Sequence, residues 1–385
     1  MLSLFSSNKT KTDNTGNTSE LKNDKGTFNE TINIFNGVGK KTLKNGDVYE
    51  GTFESHNQDG IVIIGIYGQG KMTYKNGDMY DGEWSNNKRN GQGKMIYKNG
   101  DVYMGNWGDD VRQEEGTMTY ITTGDVYKGN WIDDTRYGQG KMTYKNGNIY
   151  EGEWSNKRDG HGTMAYTNGD VYVGNWVDDV RHGQGKITYK TTGDVYEGEW
   201  SINVRSGTGK MTYANGDVYE GNWIDDTRYG QGKMTYTNGN IYEGEWLINV
   251  RSGTGKMTYK NGDVYVGNWV DDELNGHGKM TYNNGDVHEG NFVNNKLNEQ
   301  RKITYANSDV YEGLFDHYTN TRNGKGIMRY ANGDAYNGDW KYDKRNGKGT
   351  MGYAESNNLY YQCEWENDSR KNSDGKLVDD IHFKR

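Results

Sequence analysis

An aromatic triplet of the form Tyr-x-Gly-x-Trp recurs along most of the chain and constrains the possible fold more than any other feature. Twelve of the thirteen intervals between successive copies lie within two residues of 23, and the remaining interval is 31. All 11 Trp residues occupy the last position of a triplet, which Phe53, Phe292 and Phe315 fill in the other copies. A fixed period of this length is typical of a repeat protein whose units pack against their neighbours.

Each repeat is predicted to contain two β-strands. Tyr80, Gly82 and Trp84 are two residues apart, so in a strand their side chains share one face, and the strand that follows alternates in the same way. The chain has 57 Gly and no Pro, so nearly every backbone N–H is free to pair in a sheet. We therefore expect an all-β protein with one aromatic, glycine-lined face and one polar face.

The turn between one repeat and the next distinguishes two possible strand registers. A two-residue Asn-Gly loop would place the two aromatic sets on opposite faces, whereas a three-residue loop with Gly100 in the left-handed region places Met95 opposite Tyr103. The three-residue register also sets opposite charges against each other on the polar face, as stable strand pairing requires. It pairs Lys40 with Glu50, Lys71 with Asp81, Lys141 with Glu151, Lys210 with Glu220, Lys233 with Glu243, Lys279 with Glu289 and Lys302 with Glu312. We expect the three-residue loop.

The complete pattern, a triplet followed about seven residues later by Gly-x-Gly, resembles the membrane occupation and recognition nexus (MORN) repeat. The resemblance extends from about residue 37 to about residue 377 and comprises about fourteen copies. It implies an elongated, curved, single-layer antiparallel β-meander of hairpins. The repeats near 288–310 and 361–378 are degenerate, because Glu299 and Arg301 replace one glycine pair, Ser373 replaces another glycine and Cys363 replaces the middle glycine of the last triplet.

The repeat pattern also sets the predicted domain boundaries. Residues 1–33 are rich in Ser, Thr, Asn and Lys and are expected to be disordered, residues 34–378 form the array, and residues 379–385 form a short charged tail. An insertion after Phe53 contains the most apolar stretch of the chain. We interpret its segment 61–66 either as an additional strand that covers the first hairpins or as a docking patch.

Charge and cysteine content limit the partners and the compartment. The formal net charge of −8 does not favour nucleic-acid binding. With one cysteine, Cys363, and no signal-peptide pattern at the start, the sequence predicts a cytoplasmic protein, and peripheral association with a membrane or the cytoskeleton stays open. No window approaches the roughly 18 apolar residues of a membrane span.

Residue patterns that would indicate chemistry are not found. The seven His are scattered, and no His, Cys, Asp or Glu cluster has the spacing of metal ligands. Paired acids such as Asp133-Asp134 recur after the tryptophans, and an Arg two residues later suggests a loop that neutralises itself. We predict no catalytic residue, no metal, no cofactor and no small-molecule substrate.

Two surfaces are candidate binding sites. The first is the aromatic face, interpreted either as the core of a one-layer sheet or as a half-filled concave surface that accepts a protein partner: Tyr80, Trp84, Tyr103, Trp107, Tyr127, Trp131, Tyr150, Trp154, Tyr172, Trp176, Tyr196, Trp200, Tyr219, Trp223, Tyr242, Trp246, Tyr265 and Trp269. The second is an arginine stripe, interpreted either as local charge pairing or as a site for phosphate groups or an acidic partner: Arg89, Arg112, Arg136, Arg158, Arg181, Arg205, Arg228, Arg251, Arg322 and Arg345.

These patterns predict a non-enzymatic repeat scaffold that mediates protein–protein contact, including self-association, through its concave aromatic face and its loops. The alternative is a peripheral tether that binds anionic, phosphoinositide-type membranes through the arginine stripe. An accessory subunit of an enzyme complex is the least favoured reading. Residues 127–154 and 219–246 differ only at Lys128/Glu220 and Lys145/Thr237, which indicates internal duplication and favours multivalency over one unique pocket.

Overall fold

The fold is seen in a computed structural model that describes residues 5–6, 19–23, 26–35, 37–58, 61–356, 359–371 and 375–378. These residues are almost entirely β-strand, with one 3₁₀ turn at Ala354–Ser356 in the described part of the chain. They divide into two units, one of Met1–Gly193 with Trp200–Asn203 and the other of Asp194–Glu199 with Val204–Arg385. In each unit the successive hairpin strands pair antiparallel with their neighbours in chain order, which makes a single-layer meander.

Most strands are seven to ten residues long and alternate between the two members of a hairpin. Those before residue 193 are β1 (Phe5–Ser6), β2 (Ser19–Asn23), β3 (Gly26–Phe35), β4 (Val38–Thr42), β5 (Val48–Gln58), β6 (Ile61–Thr73), β7 (Met79–Ser85), β8 (Lys88–Ile96), β9 (Val102–Gly108), β10 (Val111–Tyr120), β11 (Asp125–Ile132), β12 (Thr135–Thr143), β13 (Ile149–Ser155), β14 (Lys157–Ala165), β15 (Val171–Val177) and β16 (Val180–Thr188).

Strand β17 (Val195–Ser201) contributes residues to both units. The second unit continues with β18 (Val204–Thr212), β19 (Val218–Ile224), β20 (Thr227–Thr235), β21 (Ile241–Leu247), β22 (Val250–Thr258), β23 (Val264–Val270), β24 (Glu273–Thr281), β25 (Val287–Val293), β26 (Lys296–Thr304), β27 (Val310–Phe315), β28 (Arg322–Arg329), β29 (Ala335–Lys341), β30 (Lys344–Tyr353), β31 (Leu359–Glu366), β32 (Ser369–Lys371) and β33 (Leu377–Val378).

Most turns between repeats have the three-residue form predicted from the sequence, and those at residues 121–124 and 190–193 are one residue longer. Met95 pairs with Tyr103 in the register of β8 and β9, and the backbone N–H of Tyr97 donates to Asp101 O at 2.9 Å. Gly100 closes the turn at φ +90°, in the left-handed region that a side chain disfavours. The predicted charge pairs also face each other, as in Lys210–Glu220 with 2.9 Å between Nζ and Oε1.

Each of these turns is bound to the next by a side chain. The carboxylate of Asp217 accepts the backbone N–H of Thr237, in the following turn, at 2.8 Å, and also the Thr237 hydroxyl at 3.1 Å. The backbone N–H groups of Lys75 and Lys98 are bound in the same way by Asp47 and Asp78. The recurring Asp or Asn therefore replaces the strand pairing that a turn cannot make with its neighbour.

In most hairpins the inner turn has two residues, both with positive φ, whereas the turn between β13 and β14 is Asn156 alone and the turn between β27 and β28 is longer. Asp133 and Asp134, at φ +46° and +64°, illustrate the pattern. Consecutive left-handed residues match the twist of a hairpin, and Asp and Asn tolerate that conformation better than other side chains. This conformation explains why acidic pairs recur after the tryptophans.

Two segments differ from the sequence prediction. The apolar insertion does not form an additional strand: it lengthens β5 and β6, with Ser55 opposite Ile64 and Gln58 opposite Ile61. Strands β2 and β3 pair with each other inside the segment expected to be disordered, where the sequence 31–34 alternates polar and apolar residues. The other residues of that segment, and residues 379–385, lie outside the described part of the chain, and the domain boundaries remain predictions.

Candidate interaction surfaces

In the regular repeats the leading tyrosine of the triplet lies flat across a pair of facing glycines. In the hairpin β19–β20, Gly221 faces Gly232 and the side chain of Tyr219 is fully buried. The Tyr219 hydroxyl donates a hydrogen bond to Asn222 O at 3.0 Å. A Cβ atom on Gly232 would lie 2.4 Å from that hydroxyl oxygen, so only glycine leaves room for the ring.

The tryptophan that ends each triplet joins its hairpin to the preceding strand. Trp223 donates from Nε1 to Gly209 O, on β18, at 3.3 Å. Its ring meets those of Tyr219 and Tyr196 edge to face, with ring centroids 5.2 and 5.3 Å apart. Because edge-to-face pairs of this kind are attractive, they join the rings along the first unit and, in the second unit, from Tyr196 to Phe292 and again from Tyr311 to Trp365.

The aromatic residues predicted to bind a partner are therefore core residues. Their exposed fraction lies between 0 and 4% at Tyr80, Trp84, Tyr103, Trp107, Tyr127, Trp131, Tyr150, Trp154, Tyr172, Trp176, Tyr196, Trp200, Tyr219, Trp223, Tyr242, Trp246, Tyr265 and Trp269. The rings fill the space above the glycine pairs, so little of each ring is exposed to a partner while the hairpins stay packed. Over residues 64–353 the half-filled aromatic surface is absent.

The arginine that follows a tryptophan binds the next hairpin, not its own loop. The guanidinium carbon of Arg158 lies 4.4 Å from the centroid of the Trp176 ring, and its Nε lies 2.9 Å from Oδ1 of Asp179. Its Nη2 also donates to Asp179 O at 2.7 Å. The expectation that each arginine neutralises the acidic pair of its own loop is wrong, because the guanidinium reaches across to the next turn.

The same arrangement recurs along the predicted arginine stripe. Stacking on the next Trp together with an ion pair to the next Asp occurs at Arg89, Arg112, Arg158, Arg205, Arg251, Arg322 and Arg345. Their side chains are only 4 to 18% exposed. Arg136, Arg181 and Arg228 stack on the next Trp, and Arg181 and Arg228 also donate to an Asn carbonyl. The stripe therefore holds neighbouring hairpins together.

A signal for this pairing was present in the sequence and was missed. Leu274 and Leu297 occupy the arginine position in their repeats, and the triplets that follow them end in Phe292 and Phe315. Where the next ring is Trp, the preceding repeat carries Arg in ten cases; Trp84, preceded by Ile66, is the exception. The type of residue therefore covaries between positions about 18 residues apart, which indicates contact between neighbouring repeats.

The degenerate repeat near 288–310 is packed by a different set of side chains. His288 stands in place of the leading tyrosine, and Arg301, opposite Gly290, stands in place of a glycine. The guanidinium carbon of Arg301 lies 3.8 Å from the centroid of the Phe315 ring, and the residue is 8% exposed. Burial, assisted by the nearby Arg301 charge, lowers the pKa of His288. A cation therefore still covers the next ring, from another position.

The opposite face of the hairpins, here called the polar face, remains exposed. It carries a row of side chains in register from strand to strand, which includes Lys210, Glu220 and Lys233 in the second unit. In the first unit this face forms an open groove of about 910 Å³ that extends from Gln69 to Glu151. The backbone of the glycine pairs lines the groove between the charged row and a second row of Gln, Asn and Glu side chains.

Shallower hollows lie on the aromatic side, beside the tyrosines that precede the turns. One of about 800 Å³ is lined by Tyr97, Asp101 and Arg112, and the equivalent hollow in the second unit, about 610 Å³, is lined by Tyr213, Asp217 and Arg228. Burial raises the pKa of Tyr97, although Arg112 opposes the shift. These hydroxyls therefore stay protonated at neutral pH.

Metal-ligand clusters and membrane-spanning helices are both absent from the described residues. No group of three or more His, Cys, Asp or Glu side chains there is placed to hold a metal ion. In that same part of the chain, no helix has the length and apolar character needed to cross a membrane.

These features define a repeat protein whose units are β-hairpins joined by aromatic rings, glycine pairs and arginines. Segments of the chain match the MORN repeat at residues 68–79, 80–102, 103–122, 127–149, 150–171, 172–193, 196–218, 219–241, 242–264, 265–287, 320–335 and 336–357. The chain belongs to the MORN repeat family. No curated protein matches it in sequence.

Three solved structures show distant similarity to this chain. The TCP domain of Drosophila melanogaster SAS-4 (dCPAP), in complex with a proline-rich motif of Ana2 (dSTIL), is 19% identical, with 42% of this chain and 85% of that chain covered and a TM-score of 0.29. The TCP10 domain of Danio rerio CPAP, in complex with a STIL peptide, is 12% identical, with 62% and 94% covered and a TM-score of 0.29. A streptogramin B lyase is 12% identical, with 86% and 93% covered and a TM-score of 0.13. Similarities at these scores support no statement about partners or activity.

Proposed function

We propose that this chain is a non-enzymatic repeat scaffold that binds protein partners through its polar face. The observation that supports this proposal most directly is the burial of the aromatic rings and arginines between neighbouring hairpins. Those residues stabilise the array, so the polar face is the regular surface left for a partner. Because the same row of residues recurs in each hairpin, one chain offers several equivalent sites, and binding at several sites raises the overall affinity.

Exposed apolar side chains interrupt the charged row of the polar face. Met104, Val173 and Val266 occupy positions where other repeats carry Lys or Glu, and they are 56, 39 and 52% exposed. A second apolar series follows the last ring of the triplets on the same face, with exposures between 44 and 49% at Ile132, Val177, Ile224, Leu247, Val270 and Val293. Apolar contacts within a polar surround are typical of protein interfaces.

The membrane alternative depends on arginines that already have partners. A lipid phosphate that bound Arg158 would have to displace both the Asp179 carboxylate and the stacking on Trp176. Replacement of these arginines would also loosen the array, so loss of vesicle binding in such variants would not identify a lipid site. A direct vesicle assay on the intact chain is the better test.

The proposal is tested by affinity capture from cell lysate at 0.15 M salt, with vesicle flotation alongside. Val173→Glu and Val266→Glu place an acid opposite Lys186 and Lys279, so both variants are expected to fold. The control is Tyr342→Asn, in a two-residue turn where Tyr342 has φ +50° and Asn is well suited.

We expect a defined set of captured proteins that is lost with the two polar-face variants and retained with the control. Phosphatidylserine and phosphoinositide vesicles should not carry the chain upward in the flotation assay. Capture that is equal for all variants would contradict the proposal, and salt-sensitive flotation of the intact chain would favour the membrane tether instead.

A further inference from the structure

The charged row of the polar face changes character in the first unit. In the second unit Lys210, Glu220, Lys233 and Glu243 alternate in sign from strand to strand, with Lys210–Glu220 at 2.9 Å and Lys233–Glu243 at 3.6 Å. In the first unit the row from β8 to β12 contains no acid: it consists of Lys94, Met104, Thr117, Lys128 and Lys141.

Lys128 is the residue at which the alternation fails. It lies directly opposite Lys141 on one side and opposite Thr117 on the other. Lys141 lies 3.6 Å from Glu151, whereas Lys128 and Lys94 make no ion pair among the described residues. Like charges directly opposite each other on neighbouring strands destabilise a sheet. Stability of the fold therefore does not account for a lysine at this position.

A nearly identical copy of the hairpin that carries Lys128 occurs later in the chain. Residues 127–154 and 219–246 differ at two positions only, and on this face the difference is Lys128 in place of Glu220. Glu220 forms the ion pair that Lys128 lacks. The two copies of the hairpin therefore carry opposite charges at the same register position. Among the described residues, Glu220 is neutralised by an ion pair, whereas Lys128 is not.

The three lysines of this row lie in the groove of about 910 Å³. Lys94, Lys128 and Lys141 line it together with exposed Met104. Three acids also line the groove: Glu151 is paired with Lys141, Asp81 lies at its far end opposite both Lys71 and Lys94, and Glu115 belongs to the adjacent row, opposite Asn130. Positive charge therefore predominates along the row from β8 to β12, where an apolar side chain lies between the lysines.

We infer that this groove binds an extended acidic peptide segment of a protein partner, with carboxylates at Lys94 and at the Lys128–Lys141 pair. The inference rests on the proposed function and names the chemistry of one of its sites. Lys94 and Lys128 lie three strand spacings apart, about 14 Å, which an extended peptide covers in about four residues. The ligand would therefore carry acids about four residues apart, with an apolar residue between them that contacts Met104.

The test uses the full-length chain and a fluorescein-labelled peptide of sequence SEELTEELS, with SQQLTQQLS as the uncharged control. Fluorescence anisotropy at 0.05 to 0.3 M salt measures the affinity. We expect Lys128→Glu to weaken binding at least tenfold, and the control peptide to bind at least tenfold more weakly. Lys128→Glu reproduces the charge of the duplicate hairpin, so its melting temperature should equal or exceed that of the parent chain.

The matched gain-of-function variant is Glu220→Lys. It places three lysines in a row at positions 210, 220 and 233 and should add a second site for the acidic peptide. Unchanged affinity in Lys128→Glu would overturn the inference. The inference would also be overturned if phosphatidylserine vesicles, or a single-stranded oligonucleotide, displaced the labelled peptide at a lower concentration than the unlabelled peptide does.

The experiments distinguish failure of the acidic-peptide inference from failure of the scaffold proposal. Val173 and Val266 lie outside the groove, so their variants report on the polar face elsewhere. Protein capture that is lost in those variants, combined with peptide binding that is unaffected in Lys128→Glu, would overturn the acidic-peptide inference alone.

Discussion

At the scale of single residues, close approach explains why two glycines recur opposite each other. A Cβ atom on Gly221 would lie 2.5 Å from Gly232 Cα and 2.6 Å from the Tyr219 hydroxyl oxygen. Neither neighbour can move away, because one is backbone and the other is a ring held at 0% exposure. The glycines are therefore required by the flat position of the tyrosine, and the adjacent residues on the polar face are not under this constraint.

Substitution of neighbouring residues should separate the two faces. Gly221→Ala should lower the free energy of unfolding by about 2–3 kcal/mol, since overpacking of a tight core costs this much. Glu220→Ala removes an ion pair whose two side chains are 53% and 52% exposed, so the loss should stay below about 1 kcal/mol. Urea denaturation of the two variants provides the measurement, and equal shifts would show that the faces are assigned wrongly.

At the scale of the hairpin, arginine is the residue that joins one element to the next. Arg158, on β14, contacts both the ring of Trp176 on β15 and the turn that contains Asp179. Lys157 precedes it and reaches the other acid of that turn, with 3.2 Å between Nζ and Asp178 Oδ1, but both of these side chains are at least half exposed. The Arg158–Asp179 pair, in which the arginine is mostly buried, should contribute more to stability than the exposed Lys157–Asp178 pair.

This difference can be measured with two neighbouring substitutions. Arg158→Lys keeps the charge but loses the planar, two-point contact and the stacking, and should cost about 1–2 kcal/mol of unfolding free energy. Lys157→Gln should cost less than about 0.5 kcal/mol. Hydrogen–deuterium exchange in β14 and β15 should increase for the first variant only. Increased exchange of similar size for both would show that the arginine stripe contributes nothing beyond ordinary surface charge.

At the scale of the whole molecule, stability depends on many buried tyrosines at once. Burial raises the pKa of Tyr49, Tyr265 and Tyr330 to about 12, above the ordinary value of 10.0. Between these values the unfolded chain loses tyrosine protons that the folded chain retains. Stability is therefore fully present below about pH 10 and falls as the pH rises towards 12.

We expect the chain to unfold cooperatively between about pH 10 and pH 12. Tyrosinate absorbance at 295 nm should rise together with the loss of the far-ultraviolet sheet signal. The chain unfolded in guanidinium chloride serves as the control and should titrate near pH 10. Full ionisation of the tyrosines below pH 11 with the sheet signal intact would show that the rings are accessible in the folded state.

The residue pattern within one repeat was sufficient to predict the two faces of its hairpin and the type of turn that follows it. The spacing of Tyr80 and Trp84 assigns the faces, and the charge pairs select the three-residue turn that the register of Met95 and Tyr103 confirms. These properties follow from the alternation of side chains along a strand and the backbone freedom of Gly100, which are local and need no knowledge of the neighbours.

Only the tertiary structure decided which surface is available. The ring of Trp176 is sealed by Tyr172 of its own hairpin, by Tyr150 of the preceding hairpin and by Arg158, and these three residues lie four, 26 and 18 positions away in the sequence. The amphipathic pattern shows that a face is apolar but cannot show whether it is covered, because that depends on how far side chains of adjacent repeats reach. In this protein they reach far enough to bury the aromatic face and leave the polar face exposed.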